Sequence, residues 1–533
     1  MSAEGWNYAD VFEAVARRFP DAPAQISDGR TLTWSDFDRR AGAVAARLVG
    51  AGLGPQSKVA LFLYNGPEYL ECVYGAFKAS LVPVNTNYRY AGAELVHLWE
   101  DSDAEAVVFH ADLVDRVEQV RGRLTGVKLW VCVDAAGAVC PDWAERYEAL
   151  AAAEAGPTGR ERSGRDLLLL YTGGTTGRPK GVMWPQDSLF RNLEEGYGRD
   201  PDVFGDADAR AQGLAKPGPR VLPAAPLMHG TALWFALPAL GQGGCVVTVP
   251  DRSFQAASLL DTVVREEVKG LCIVGDAFGR PLVEALDAEP GRWDLTGLRL
   301  IFSSGVLFSA EVKQRLLAAA PRATLVDSIG TSESGGVARA QARAGEEPGA
   351  PTFTVGPHTK VVAEDGTLVE PGSGERGRLA VGGSIPIGYY GDPEKTAETF
   401  VVVDGVTHVV AGDWCTVDAD GSIRFLGRGS VCINTGGEKV YPEEVEEVIK
   451  RLPGVRDAVL LGVPDERFGE AVAAVVDLAD GASVGPEDVQ GAVRGSLAGY
   501  KVPRHVVFAD VARQANGKLD YPVLREVVAD ALA

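Results

Sequence analysis

The sequence predicts an α/β and α+β protein. A large N-terminal domain of parallel sheets with helices, plus a β subdomain, is followed by a small α+β C-terminal domain. Three observations carry this. Up to about Gly345, short apolar runs alternate with helical stretches, the pattern of βαβ units in a largely parallel sheet. Beyond it, short strands punctuated by Gly and Pro take over, as in GERGRLAVGG and DADGSIRFLG, which reads as an antiparallel subdomain. Near Gly427–Ser430 the pattern changes again, and the last stretch mixes strands with two helices. That junction divides residues 1–428 from 429–533.

The elements follow in order. Ala41–Leu48 reads as helix, Lys58–Leu63 as strand, Glu68–Ala79 as helix, and Leu81–Val84, Ala104–Phe109 and Lys128–Val133 as strands. The alternation recurs as strand Gly270–Val274, a helix near Pro281–Ala288, strand Leu298–Phe302, helix Ala310–Ala319 and strand Thr324–Asp327. In the last module Pro442 stands where a helix would start. Val445, Val448, Ile449 and Leu452 follow at i, i+3, i+4 and i+7, and Pro453–Gly454 stops the helix. Val455–Val463 and Glu470–Leu478 read as strands, Pro486–Leu497 as a helix and His505–Phe508 as a strand.

The 533 residues are 46% apolar and 23% charged, which excludes a disordered or fibrous chain. Asp and Glu outnumber Lys and Arg by 73 to 52, a net charge of −21. Such a chain is a poor general binder of nucleic acid or of anionic membranes. Its seven Cys are scattered with no C-x-x-C spacing, so reduced thiols in a cytoplasmic protein are expected. The N-terminus lacks the apolar core of a signal peptide. Val221–Pro250 carries no charge, but its Pro223, Pro226, His229, Pro238 and four Gly read as buried core and loop, not as a membrane span.

The strongest chemical signal is LLLLYTGGTTGRPKGVM, Leu167–Met183. An apolar strand runs into a loop with Gly173, Gly174, Gly177 and Gly181, hydroxyls at Thr172, Thr175 and Thr176, and cations at Arg178 and Lys180. Glycines let backbone N–H groups approach a polyphosphate, and the hydroxyls and cations add donors and countercharge. The spacing is not that of a Walker A loop. In DSIGTSESGG, Thr331 and Glu333 follow a strand and could hold Mg²⁺, a hard cation that takes oxygen ligands. Read alone, it is also a Ser/Gly turn with a solvated Glu. Asp413 in GDW and Arg428 in LGR suit a ribose and a phosphate, or else a β-turn and a surface arginine. Lys518 in NGK is, alone, a solvated turn lysine.

The order and spacing of these motifs resemble those of the adenylate-forming superfamily. It includes acyl-CoA synthetases, luciferases, peptide-synthetase adenylation domains and aryl-CoA ligases. The resemblance runs from TLTWSDFDRRA at Thr31 to NGKLDYP at Lys518. NTNYRY (Asn85–Tyr90), SSGV (Ser303–Val306) and GRGSVCINTGGEKVYPEEVE look closest to bacterial fatty-acid and steroid side-chain acyl-CoA synthetases.

The resemblance implies that a carboxylate attacks ATP, releases pyrophosphate and leaves an acyl-adenylate, after which CoA takes the acyl group. It implies that Thr172, Gly173, Gly174, Thr175, Thr176, Gly177 and Lys180 hold the β- and γ-phosphates. Thr331 and Glu333 would bind ATP and Mg²⁺. Ser304 and Gly305, with Asp327, Ser328, Ile329 and Gly330, would border the adenine. Asp413 would take the ribose hydroxyls beside Arg428. Lys518 matches the lysine on the attacking carboxylate and α-phosphate, in a C-terminal domain that rotates after adenylation about Ser430. Ser430 and Ile329 depart from the family's commoner Asp or Lys and aromatic residue. Gly436, Gly437 and Lys439 would line the CoA tunnel. His229 and Gly230 would lie beside the carboxylate, with Trp234, Phe235, Val306, Leu307 and Phe308 as pocket walls. No Asp or Arg is obviously placed to hold an ammonium or a second carboxylate, so an apolar, fatty or aromatic acid is expected. CoA, an amine or a carrier protein remain open as acceptor, and a homodimer is one admissible assembly.

Overall fold

Parallel strands buried on both faces need nearly continuous apolar runs, and KVALF, VPVN and AEAVVFH are such runs. The computed structural model describes residues 5–154, 156–172, 179–305, 308–346, 353–428, 433–435, 438–440, 442–465, 469–497, 499–514 and 519–532. At 427, 428, 434, 438, 439, 444 and 469 it describes the backbone alone. The chain divides into two compact units, Met1–Pro348 with Gly382–Val409, and Gly349–Val381 with Val410–Ala533. The junction expected at 428/429 falls inside the second.

The first unit's strands are β1 (Pro23–Ser27), β2 (Arg30–Thr33), β3 (Lys58–Phe62), β4 (Val82–Asn85), β5 (Ala104–His110), β6 (Leu129–Val133), β7 (Glu145–Arg146), β8 (Leu167–Thr172), β9 (Lys180–Pro185), β10 (Arg220–Pro223), β11 (Cys245–Thr248), β12 (Gly270–Ile273), β13 (Leu300–Ser304), β14 (Thr324–Thr331) and β15 (Gly335–Ala342). One sheet runs β7-β6-β5-β3-β4-β8-β9, parallel except where β9 turns back on β8. The other runs β15-β14-β13-β12-β10-β11-β1-β2, parallel from β14 to β1. In such sheets ligands bind outside the carboxyl ends of the strands, where strand order reverses. β3 is flanked by β4 and β5, and β10 by β11 and β12, so each sheet has such a point.

Local chemistry sets the helix starts. Helix Trp34–Gly50 opens on a capping box: Asp36 N–H donates to Thr33 Oγ1 at 3.1 Å, and Thr33 N–H donates to Asp36 Oδ2 at 3.2 Å. Two expectations are corrected. Val221–Pro250 is not merely core and loop, because Gly230–Gly241 is a helix within it. Its side chains are apolar all round, so no amphipathic period marked it; buried helices take that composition. The helix expected from Pro281 begins at Gly275 and carries Pro281 inside it. Ser303 Oγ accepts the Gly275 N–H at 2.9 Å and starts the helix early.

In the second unit, strands Thr359–Val362, Arg376–Val381, Asp413–Val417 and Ile423–Arg428 pair antiparallel. Strands Val455–Asp465 and Gly469–Leu478 form the centre of a further sheet, with His505–Phe508 parallel at its side. Alternation gives that sheet two apolar faces. Ala458 and Leu460 pack with helices Pro442–Lys450 and Pro486–Ser496, and Val459 and Leu461 with helix Tyr521–Leu532. The six described cysteines are buried and form no disulfide.

Candidate active site

The site is built from three strand ends that two asparagine side chains tie together. Asn85, at the end of β4, donates from Nδ2 to the carbonyls of Tyr171 (2.9 Å) and Met228 (2.8 Å), and its Oδ1 accepts the Tyr171 N–H at 2.6 Å. One side chain thus holds the residues preceding Thr172 and His229. Asn65, beyond β3, donates to the carbonyls of Pro223 and Ala225 and accepts the Leu227 N–H at 2.6 Å. That pins the segment running from β10 into His229. His229 is half-buried at the N-cap of helix Gly230–Gly241. A Cβ at Gly230 would stand 3.1 Å from both Leu170 and Trp234. The absent side chain therefore lets this helix start lie directly against β8.

The GTSES turn joins β14 to β15. A Cβ at Gly330 would meet the Gly335 carbonyl oxygen at 2.2 Å, and Gly335 has φ +69° with Asn192 close against it, so both positions require glycine. Thr331 spends its hydroxyl inside the turn, 2.9 Å from Ser334 Oγ and accepting the Glu333 N–H at 3.2 Å. Trp184, on β9, donates from Nε1 to the Ser332 carbonyl at 2.8 Å. Tyr389 Oη donates to Glu333 Oε1 at 2.7 Å. Among the described residues, no cation pairs with Glu333 and the Ser332 hydroxyl makes no hydrogen bond. A carboxylate beside an uncommitted hydroxyl is a fitting oxygen donor set for Mg²⁺, which keeps phosphate and water ligands as well. No group of three or more His, Cys, Asp or Glu among the described residues could hold a metal alone.

The remaining expected residues distribute as follows. Lys180 pairs with Asp392, which also caps helix Pro393–Thr399. Ser304 sits opposite Ser328 in register, and Gly305 has φ +101°. The Asp327 carboxylate turns to the opposite face of the sheet and pairs with Lys313 at 2.6 Å. Burial raises its pKa against the pull of that ammonium, and the Asp327 side chain is committed to Lys313. Ile329 and Gly330 flank the bulge in β14. Trp234 packs edge-on against Trp184, ring centroids 5.6 Å apart. In the second unit Asp413 is buried and stands opposite Arg428 in register. Arg428 and Lys439 are described by backbone alone. Gly173, Gly174, Thr175, Thr176, Gly177, Val306, Ser430, Gly436, Gly437 and Lys518 lie outside the described residues.

Asn65, Trp184, Ser332 and Tyr389 escaped the sequence reading. The run GYYGDPE around Tyr389 was its one visible signal, a turn-rich aromatic stretch far from the other motifs. No helix among the described residues is long and apolar enough to cross a membrane.

These features coincide with two family models, the AMP-binding enzyme over residues 12–390 and the AMP-binding enzyme C-terminal domain over 444–518. The chain belongs to the AMP-binding enzyme family, and by class it is an AMP-forming ligase. It is 40% identical over 545 residues to the medium-chain acyl-CoA ligase Mig of Mycobacterium avium, covering 97% of each chain. It is 39% identical over 532 residues to 3-oxocholest-4-en-26-oate–CoA ligase of Rhodococcus rhodochrous, covering 97% of this chain and 94% of that one. Among solved structures, ATP-bound MatB from Rhodopseudomonas palustris matches with a TM-score of 0.81 at 27% identity, over 99% of this chain and 100% of that one.

Proposed function

We propose that this chain is an acid–CoA ligase. It would activate an apolar carboxylic acid of the medium-chain fatty or steroid side-chain kind with ATP, then pass the acyl group to CoA in the cytoplasm. The supporting observation is the convergence of the Glu333 turn, the end of β8 and His229 within one unit, in a chain 40% identical to a medium-chain acyl-CoA ligase.

The acid's carboxylate oxygen attacks the α-phosphorus of ATP, the bond to pyrophosphate breaks, and an acyl-adenylate forms. The CoA thiol then attacks the acyl carbon, loses its proton and displaces AMP. Negative charge builds at phosphorus, so the work is positioning and countercharge. The Thr172–Lys180 loop holds the β- and γ-phosphates, Asp413 the ribose hydroxyls and His229 the approach to the carboxylate. Glu333, with the adjoining Ser332, would hold Mg²⁺, which when bound neutralises phosphate charge. Lys518 serves the first step from a C-terminal domain, 429–533, that turns about Ser430 on the N-terminal domain, 1–428, to admit CoA past Gly436, Gly437 and Lys439.

The test supplies medium-chain and steroid acids with ATP and Mg²⁺, with and without CoA. Acid-dependent pyrophosphate release followed by a CoA thioester is expected. An amide with an added amine, or acylation of a phosphopantetheinyl carrier, without a CoA product would overturn the acceptor. Lys518→Ala should abolish adenylation yet leave thioester formation from supplied acyl-adenylate largely intact.

A further inference from the structure

The sequence offers no obvious arginine for a second polar group on the acid, whereas the tertiary structure brings Arg339 to the sheet face that helix Gly230–Gly241 covers. Directly opposed residues of neighbouring strands share a face. Cys272, Phe302 and Val326 stand in register, as do Ser304 with Ser328 and Ser328 with Arg339. Phe235, on the helix that His229 caps, stacks on Phe302 with centroids 5.8 Å apart. Arg339 therefore lies on the face covered by that helix. Asp327 and Lys313 occupy the other.

The guanidinium folds back over glycines. A Cβ on Gly336 would stand 3.3 Å from its Nη2, and one on Gly196 only 2.7 Å. It lies 5.7 Å from the centre of the Tyr197 ring. On the same face the Cys272 Sγ–H donates to the Thr231 carbonyl at 3.7 Å, two residues beyond His229. Nearby arginines are satisfied: Arg199 and Arg210 both reach Glu194 at 2.8 Å. Arg339 is half-buried, yet among the described residues it makes no ion pair and no hydrogen bond. A half-buried guanidinium with only an aromatic ring beside it has N–H donors left for acceptor oxygens that a ligand brings.

We propose that Arg339, with Tyr197 and Ser328, is a specificity subsite for a second acceptor oxygen, a carbonyl or carboxylate, carried by the acid away from its activated carboxylate. This rests on the acid-activating reading above and narrows it: among medium-chain and steroid acids with a largely apolar body, those that carry a second oxygen away from the activated carboxylate are preferred.

Three probes test it at the chain length that wild type turns over fastest: the plain monocarboxylic acid, its keto acid with the oxygen near the far end, and the dicarboxylic acid. Pyrophosphate release gives kcat/KM for wild type, R339L and R339K. R339L should shift the ratio of oxygen-bearing to plain acid by about 10- to 100-fold, mostly through KM, the size of a hydrogen bond to a charged group. R339K should restore part of it. An unchanged ratio in R339L with an unchanged melting temperature overturns the proposal. If no acid releases pyrophosphate, the adenylation reading fails by itself. Calorimetric binding of the keto acid and diacid to wild type and R339L in the presence of AMP then decides the arginine separately: tighter binding to wild type upholds it and equal binding overturns it.

Discussion

Tyr389 donates its hydroxyl to Glu333 at 2.7 Å across 56 residues of chain. The bond fixes one oxygen of the carboxylate. Tyr389→Phe removes the donor and keeps the ring that packs on Phe400. A hydrogen bond to a charged group contributes roughly 1.5–3 kcal/mol. The expected outcome is about a 10-fold lower kcat for pyrophosphate release and a higher Mg²⁺ requirement. An unchanged Mg²⁺ titration would remove Tyr389 from the positioning of Glu333.

Asn85 satisfies three backbone groups at once. Asn85→Ala leaves them unpaired in a dry interior, at roughly 1–3 kcal/mol per group before relaxation. The variant should lose about 2–4 kcal/mol in urea unfolding, and its adenylation rate should fall with it. Asn85→Asp tests the cause, because it keeps the acceptor while turning two donors into repulsion. It should be at least as damaging as Asn85→Ala.

Gly230→Ala places a methyl 3.1 Å from Leu170 and Trp234. Both neighbours are held in the core, so the helix start must shift away from β8. Overpacking of this kind costs about 1–3 kcal/mol. Because the shift moves His229, KM for the acid should rise more than KM for ATP. Equal rises in both would separate His229 from the acid.

Glu443, in the first turn of helix Pro442–Lys450, has an Oε2 shut off from solvent with no hydrogen-bond partner among the described residues. Burial pushes its pKa up to about 8, aided by Glu446 and by Asp413. The folded state thus keeps a proton that the unfolded chain has released above the usual carboxylate range. Stability from this group is full below that range and is lost as the pH rises towards about 8. Melting temperature should therefore fall between pH 6 and pH 9 more steeply in wild type than in Glu443→Gln. Parallel curves would refute the assignment.

Much of the architecture was legible because it rests on local signals. Strand β3, helix Ala310–Ala319 and strand His505–Phe508 stand where period and punctuation put them. Helix Gly230–Gly241 escaped because a helix buried on all sides has no polar face to set its period. Among the expected site residues, Thr172 and Glu333 stand where strand-end chemistry anticipated them. The sequence points to Thr331 as the hydroxyl beside Glu333. The structure shows Thr331 turned inward and Ser332 uncommitted, a choice made by the bulge and by Ser334.

By itself the sequence determined the motif order, the two kinds of sheet and the family, because glycine, proline and apolar period act over a few residues. Tertiary structure decided which groups are committed and which are open. Trp184 meets Ser332 across 148 residues and Asn85 meets Met228 across 143. Asp327 and Ser328, adjacent in sequence, point to opposite faces, one towards Lys313 and the other towards Arg339. A side chain's partner depends on what the rest of the fold packs against it, and no local pattern encodes that.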